Sequence, residues 1–525
     1  MIAPRIGLAS TSPGAHPVVL GRRIHDALLL ATAGLITLAL ALLIVVAMPH
    51  PNYSLVVGAL VGALAVGVFA GSSRLEITVP LLAFYLGCVN GPVKLIVSGG
   101  TLTSALQDVL ILAICLGLLV RRIVSGRKMT LPPLSGWVLA WVAVVVLEAF
   151  NPRTLNLLKV AAGFRQQLEW VPFFFFGYLL VRSKARLRRM FLLLGVIALA
   201  NGIVSTYQTQ LGPAAVASWG PGYSQKLTGK AARVYKSEGV GHVRPTGLGD
   251  ESGAGGATGL VAVAGLLALL GTSRRRRPVL LLLLFGALAA TATGLGRLQV
   301  VGTVLAVIGY ALLTASAGRR ARGPLRALPV TFAIALPFLL IFVSSVGEGV
   351  FSRYSSLAPS GVTTSTSSYK EDELKQIPKE ISVSPFGFGL GTAGPAAGFG
   401  GKSTEDVEGH NVNAETTYNF IFKELGLLGI LIWPGFVLTI LLLAFRRVRL
   451  IADAELQVYL AAVFAPVFAL FFMAFDGPVS QSEFGGSFVW LAGGIASYWL
   501  VGPGWRAARR RIVPLTGQAS AVVAT

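Results

Sequence analysis

Long apolar runs recur from one end of this chain to the other, and they limit the folds it can adopt. Hydrophobic residues make up 54% of the sequence and charged residues only 13%, whereas a soluble globular protein carries roughly 25% charged residues. Runs of about 15 to 30 residues suit membrane-crossing helices, which need roughly 17–25 residues. The runs do not alternate as the strands of a transmembrane barrel do. The sequence therefore predicts an all-α polytopic membrane protein.

Fourteen stretches qualify as candidate spans. They are 26–48, 54–70, 77–97, 102–120, 134–150, 155–181, 190–211, 253–271, 279–293, 298–315, 327–346, 416–445, 458–475 and 485–501. Four of them are short, so we expect about 12–14 transmembrane helices. The first is too long for the apolar core of a signal peptide, and we expect it to persist as an uncleaved span.

Arginine and lysine residues are concentrated in alternate loops. These loops include Arg22-Arg23, Arg121 to Lys128, Arg182 to Arg189, Arg274 to Arg277, Arg446 to Arg449 and Arg506 to Arg511. By the positive-inside rule the basic loops are cytoplasmic, and both termini lie on the same side. The net charge of +22 thus reflects topology in an inner or plasma membrane, and we expect no nucleic-acid partner.

The predicted topology divides the chain into alternating membrane and loop regions. These are a cytoplasmic tail 1–25, helices 26–211, an extracytoplasmic loop 212–252, helices 253–346, a large extracytoplasmic loop 347–415, helices 416–501 and a cytoplasmic tail 502–525. Loops longer than about 12–15 residues are usually functional or disordered. Both long loops are predicted to be extracytoplasmic, so we expect the active site on that side.

Three of the arginines on the predicted outer side are candidates for a functional role, since they run against the general distribution of charge. Arg244 stands in VRPTGLGDESGAGG, Arg297 in TATGLGRLQVVG and Arg353 in FSRYSSL. Arginine binds phosphate groups well through paired N–H donors, so the three could hold a lipid-linked diphosphate. The simpler interpretation is a loop arginine or one whose side chain snorkels to the headgroups.

Two further local patterns yield structural predictions. Arg165 and Glu169 have i,i+4 spacing on one helical face; we favour an ion pair that stabilises the bundle, with a place for Arg165 in the substrate site as the alternative. Asp250, Glu251 or Ser252 is expected to cap the span that follows.

In the stretch Ile381–Trp433, a Gly-rich, loosely structured run leads to a polar cluster, which leads without a break into a helix that is strongly apolar after Glu424. Either His410 or Glu415 could act as a general base. Glu415, Tyr418, Asn419 and Phe422 share one helical face, which is polar and aromatic like a sugar site. The alternative is an ordinary helix start with acidic residues near the N-terminal dipole.

Taken together, these segments resemble motifs of the O-antigen ligase and polymerase superfamily, whose members are similar to GT-C membrane glycosyltransferases. VRPTGLGDESGAGG resembles R-x-x-G-x-F, and TGLGRLQVVG resembles T-x-S-R-G-x with Arg297 in the Arg position. SPFGFGLGTAG and HNVNAETTYNFIFKELGLLGIL resemble P-x-G-x-G, then H-N-x-x-L and E-x-G-x-x-G. Counting back from Glu424, Glu415 takes the position of the family's catalytic His, and His410 lies five residues earlier.

The resemblance implies a donor glycan on a polyprenyl diphosphate and an acceptor hydroxyl on a glycan, lipid or protein. Arg244, Arg297 and Arg353 would hold the diphosphate, and Glu415 or His410 would be the base. Other residues expected to line the substrate site are Arg165, Lys370, Asn411, Tyr418 and Asn419. No metal or cofactor is expected. A flippase or transporter of lipid-linked oligosaccharide, or a scaffold in a larger envelope complex, is the alternative.

Overall fold

The computed structural model describes residues 65–72, 74–96, 101–126, 130–154, 156–228, 234–237, 240–273, 275–317, 354, 375, 377–398 and 416–509. The predicted spans 26–48 and 327–346, and most of 54–70, lie outside these residues.

Helices make up almost all of the regular structure that is described. They are α1 (Leu75–Phe84), α2 (Asn90–Ile96), α3 (Thr101–Val124), α4 (Ser135–Glu148), α5 (Leu157–Leu168), α6 (Pro172–Leu180), α7 (Lys184–Gln210), α8 (Pro213–Ala217), α9 (Pro221–Thr228), α10 (Ala254–Thr272), α11 (Arg277–Thr293), α12 (Arg297–Ser316), α13 (Thr417–Arg447), α14 (Ala454–Met473), α15 (Glu483–Ala496) and α16 (Pro503–Ala508). A π-helical turn, Tyr85–Val89, joins α1 to α2, and a second, Ser497–Val501, follows α15. The strands β1 (Val234–Ser237) and β2 (Val240–Val243) form an antiparallel hairpin.

Among the described residues, seven helical stretches are long and apolar enough to cross a membrane. They are Leu75–Ile96, Lys184–Gln210, Ala254–Thr272, Arg297–Ser316, Thr417–Leu450, Ala454–Met473 and Glu483–Val501. Helices α4 and α11 are apolar but shorter. The chain therefore has the helical, multi-pass architecture that its sequence predicts.

One predicted span is divided in the structure. The stretch 155–181 forms α5 and α6, and residues 169–171 between them are turns. Pro172 is the first residue of α6. Its ring carries no N–H and fixes φ, so it fits the start of a helix and not its interior.

The chain contains two compact units, residues 1–82 with 105–129 and residues 83–104 with 130–525. In the first, Arg121 Nη1 donates to Ala70 O at 3.0 Å. In the second, α7, α10 and α11 pack together, α12 packs on α14, and α15 packs on α6. Small residues allow these close approaches: a Cβ on Gly494 of α15 would lie 1.9 Å from Phe174 O of α6.

Polar contacts sort the helix ends of the second unit into two groups. At the basic end (181–189, 273, 275–277, 446–455 and 497–509), Lys184 pairs with Asp453 at 2.7 Å. At the polar end (85–96, 148–154, 156–159, 208–228, 234–237, 240–258, 291–299, 384–398, 416–424 and 474–483), Lys94 pairs with Asp250 at 2.9 Å. This grouping matches the predicted alternation of loops. The assignment of the basic end to the cytoplasm stays a prediction.

Candidate functional site at the polar end

Glu424 of α13 ties helix α5 and the segment around Gly391 to its own helix. Its side chain is fully buried and accepts hydrogen bonds from the Nε2 atoms of Gln166 and Gln167 of α5, at 2.9 and 2.6 Å. It also accepts from the backbone N–H groups of Gly391 at 3.0 Å and Ala393 at 3.4 Å. All four groups are donors, which suits a carboxylate because it only accepts.

The segment 384–398, which we call the Gly-rich segment, also shares backbone hydrogen bonds with α13. Phe388 N donates to Lys423 O at 2.7 Å, and Leu427 N donates to Pro385 O at 2.9 Å. These bonds satisfy backbone groups that a continuous helix would satisfy internally. The segment is therefore fixed to the helix, and the expectation of a loose run is wrong for this part of it.

Gly426 makes this contact possible. Its backbone has φ 59° and ψ −155°, which interrupts the helical geometry of α13. A Cβ on Gly426 would lie 2.4 Å from the carbonyl carbon of Phe386, so only glycine fits both the torsion angles and the space. The apolar part of α13 that follows Glu424 is thus separated from its first turns by this residue.

Helix α5 holds the other side of the Gly-rich segment. Lys159 is fully buried, and its Nζ donates to Ala397 O at 2.9 Å. The amide of Gln166 accepts from Ala396 N at 3.1 Å. Asn156 caps the helix by accepting from Lys159 N at 2.9 Å, so the start of α5 is well defined where these contacts form.

A second buried polar cluster surrounds Lys94. Its Nζ lies 2.9 Å from Asp250 Oδ2 and 3.6 Å from Glu483 Oε1. Asn90 donates to Glu483, and the Tyr85 hydroxyl donates to Asn90 Oδ1 at 3.3 Å. Buried charges are tolerated only when they are paired and hydrogen-bonded, so this cluster joins α2, the loop before α10, and α15.

The start of α10 differs from the predicted side-chain cap. The N-cap residue is Gly253, with φ 85° and no side-chain capping bond. Asp250 pairs with Lys94, and Glu251 pairs with Lys226 at 2.7 Å. The two carboxylates therefore bind cations from distant segments, and the capping prediction is wrong.

The first two segments of the family resemblance contact each other. A Cβ on Gly253 would lie 3.2 Å from Gln299 Nε2, and one on Gly256 would lie 3.3 Å from Gln299 Cβ. A Cβ on Gly294 would lie 3.2 Å from Gly256 N. The start of α10 thus packs directly against the junction between α11 and α12, which contains Arg297.

The third segment reaches the same junction. Thr417 Oγ1 donates to Gly477 O at 2.8 Å, and a Cβ on Gly477 would lie 2.5 Å from Leu298 Cδ2. The Tyr354 hydroxyl donates to Ala292 O at 2.6 Å. The start of α10, Tyr354 and Gly477 therefore meet around residues 292–299, and Gly477 links them to the start of α13.

Arg244 lies beside the segment that leads into α10. It is half-buried and lines a narrow pocket with Gln208, Tyr223, Lys226 and Ser252. Burial raises the pKa of Tyr223. The pocket therefore brings Arg244 and Lys226 together beside hydroxyl groups.

The other predicted site residues have varied environments. Arg297 is half-buried at the first position of α12. Arg165 forms the predicted ion pair with Glu169, at 3.9 Å. Tyr418 and Asn419 are buried, and the Tyr418 ring centroid lies 4.5 Å from that of Phe475.

Five predicted site residues lie outside the described residues. They are Glu415, His410, Arg353, Lys370 and Asn411. In the sequence, Glu415 directly precedes Thr416 and Arg353 directly precedes Tyr354, two residues whose positions are described.

Sequence reasoning did not identify Lys94, Lys159, Glu424 or Glu483 as interacting residues. Each is a charged residue in or beside an apolar run, and such residues usually have a partner. That signal was present for all four. In the part of the chain that is described, no cluster of three His, Cys, Asp or Glu side chains could hold a metal ion.

Comparison of the chain with protein-family models, curated proteins and solved structures finds no match.

Proposed function

We propose that this chain is a membrane glycosyltransferase that moves a glycan from a polyprenyl diphosphate to an acceptor hydroxyl. The observation that carries the proposal is the meeting of the three resembling segments at one end of the bundle, although they are far apart in the sequence. The start of α10 contacts the junction before α12 at Gln299, and Gly477 links that junction to the start of α13 because it lies beside Leu298 and accepts a hydrogen bond from Thr417.

The chemistry follows from the residues that these segments carry. The acceptor oxygen attacks the anomeric carbon, a new glycosidic C–O bond forms, and the bond to the diphosphate breaks. The diphosphate leaves with the bonding electron pair. Arg244 and Arg297, together with Arg353, stabilise its charge through N–H donors. Glu415 or His410 takes the proton of the acceptor hydroxyl.

The polar end supplies a rigid frame for such a site. Glu424 and Lys159 fix the Gly-rich segment on one side, and Lys94 fixes the start of α10 on the other. Catalytic groups must hold their geometry within a fraction of an ångström, and buried hydrogen-bonded contacts provide that support. These buried residues thus act as positioning residues in the proposal.

Binding of undecaprenyl diphosphate, measured by native mass spectrometry on purified protein, tests the donor site. Arg244→Ala and Arg297→Ala should each weaken binding at least tenfold, because each removes charge-assisted hydrogen bonds. Arg275→Ala, an exposed arginine at the basic end, is the matched control. Unchanged binding in both polar-end variants would exclude this donor site.

Glycan transfer itself is tested with lipid-linked glycans extracted from the native membrane. Product formation should be lost in Arg297→Ala and in either Glu415→Gln or His410→Ala, in protein that still inserts and folds. Full activity in all three would contradict the proposal. Passage of the lipid-linked glycan across reconstituted vesicles, with no new glycosidic bond, would favour a flippase.

A further inference from the structure

The geometry points to a binding site for the phosphate headgroup of an anionic phospholipid at the basic end, remote from the proposed transfer site. A cavity of about 430 Å³ lies there between the start of α7, the loop before α11 and the start of α14. It is lined by Lys184, Ala185, Arg188, Arg189, Leu192, Arg276, Glu455 and Tyr459. Its volume is within the usual range for ligand pockets, about 300–1,000 Å³.

The sequence of α7 explains why several cations face the cavity together. Ala185, Arg188, Arg189 and Leu192 have i, i+3, i+4 and i+7 spacing, so they share one face of the helix. Arg276 approaches from the loop before α11 and completes the basic wall. The start of α7 and the loop before α11, which are far apart in the sequence, therefore place three guanidinium groups around one cavity.

The acidic groups at this end are already engaged by a different cation. Lys184 Nζ lies 2.7 Å from Asp453 Oδ2 and 2.9 Å from Glu455 Oε2. Within the described part of the chain, the guanidinium groups of Arg188, Arg189 and Arg276 make no hydrogen bond or ion pair. The cavity therefore has a surplus of positive charge and suits an anion.

The position of the cavity along α7 favours a lipid over a soluble anion. Helix α7 runs from Lys184 to Gln210, which is about 40 Å at 1.5 Å per residue, whereas the hydrocarbon layer is about 30 Å thick. The first turns of α7 therefore reach the headgroup layer. Leu192 and Ala185 give the cavity an apolar wall, against which acyl chains can pack. Basic pockets between membrane helices bind anionic headgroups in this way.

The test uses full-length protein that has been delipidated in a neutral detergent. Binding of phosphatidylglycerol and of phosphatidylcholine is measured by native mass spectrometry, with inorganic phosphate added in a separate arm. We expect phosphatidylglycerol to bind at least tenfold more tightly than phosphatidylcholine, and inorganic phosphate not to displace it. Equal binding of the two lipids would overturn the inference, and displacement by phosphate would show a soluble-anion site.

Variants assign the binding to this cavity. The double variant Arg188→Gln with Arg276→Gln should reduce the preference for phosphatidylglycerol at least tenfold, and the corresponding lysine variants should retain part of it. The matched control is Arg446→Gln with Arg506→Gln, which removes two exposed arginines at the same end but outside the cavity. Equal losses in the two double variants would show a diffuse charge effect and refute the site.

Discussion

Replacement of Glu424 tests the central contact of the polar end. Glu424→Ala removes the acceptor of four buried donors: two side-chain amides of α5 and the backbone N–H groups of Gly391 and Ala393. Side-chain amides can rotate towards other acceptors, whereas the two backbone groups remain where they are. A buried donor without a partner costs about 1–3 kcal/mol, so we expect a loss of about 2–6 kcal/mol in the free energy of unfolding.

Two further variants provide smaller expected losses in the free energy of unfolding, against which the loss in Glu424→Ala can be compared. Glu424→Gln keeps one oxygen for the backbone donors, and the Gln167 amide can turn to accept from the new amide, so about 1–2 kcal/mol should be lost. Glu251→Ala breaks an ion pair in which Glu251 is 62% exposed, and exposed pairs contribute about 0.2–1 kcal/mol.

Hydrogen exchange measured by mass spectrometry is the most direct assay. Amides of the peptide 385–398 should exchange much faster in Glu424→Ala, less so in Glu424→Gln, and at the wild-type rate in Glu251→Ala. Unfolding in mixed micelles by titration with sodium dodecyl sulfate gives the accompanying free energies. If Glu424→Ala and Glu251→Ala behave alike in both assays, Glu424 does not hold the Gly-rich segment.

Three other predictions follow from contacts described above. Gly426→Ala should cost more than about 3 kcal/mol through backbone strain and collision, whereas Gly136→Ala, which meets no atom within 4 Å, should be neutral or stabilising; equal Tm values for the two would refute this. Lys94→Met leaves the partly exposed carboxylates of Asp250 and Glu483 without their cation and should cost about 2–3 kcal/mol, less than the loss of a fully buried pair, so a wild-type unfolding curve would contradict the ion-pair cluster. Burial raises the pKa of Asp453, but the hydrogen bond from Lys184 lowers it, and the net shift is downward. A carboxyl group whose pKa is lower in the folded state stabilises the fold at pH values above its unfolded-state pKa. That stabilisation is lost as the pH falls through the folded-state pKa. The Tm of the wild-type protein should therefore decrease once the pH drops below about 4, and this decrease should be smaller in Lys184→Met. Parallel curves of Tm against pH between pH 6 and 3 would exclude a contribution of the Lys184–Asp453 pair to stability.

Local patterns in the sequence predicted several of the described spans because membrane helices depend mainly on the length of apolar runs. The predicted span 298–315 corresponds to α12, Arg297–Ser316, and 253–271 corresponds to α10, Ala254–Thr272. The Arg165–Glu169 pair was predictable for a similar reason, since i,i+4 neighbours meet on any helix.

Contacts between distant segments could not be derived in this way. Asp250 was expected to cap α10 because aspartate commonly does so, but a buried lysine more than 150 positions away competes for it. The role of Glu424 depends on hydrogen-bond donors in two other segments. The need for glycine at position 426 depends on how closely Phe386 packs against it. The site roles of Arg353, Lys370, His410, Asn411 and Glu415, which lie outside the described residues, stay predictions.

The interruption at Gly426 also bears on how this helix enters the membrane during synthesis. Residues 427–447 are about 30 Å long as a helix, enough to cross the hydrocarbon layer alone. Lys423 and Glu424 precede this stretch, so the translocon can release it without the penalty of about 2.5–3.5 kcal/mol for each charge at a helix centre. The turns from Thr417 to Leu425 can then fold onto the Gly-rich segment in a later step. Biogenesis would thus separate insertion of the span from assembly of the polar end.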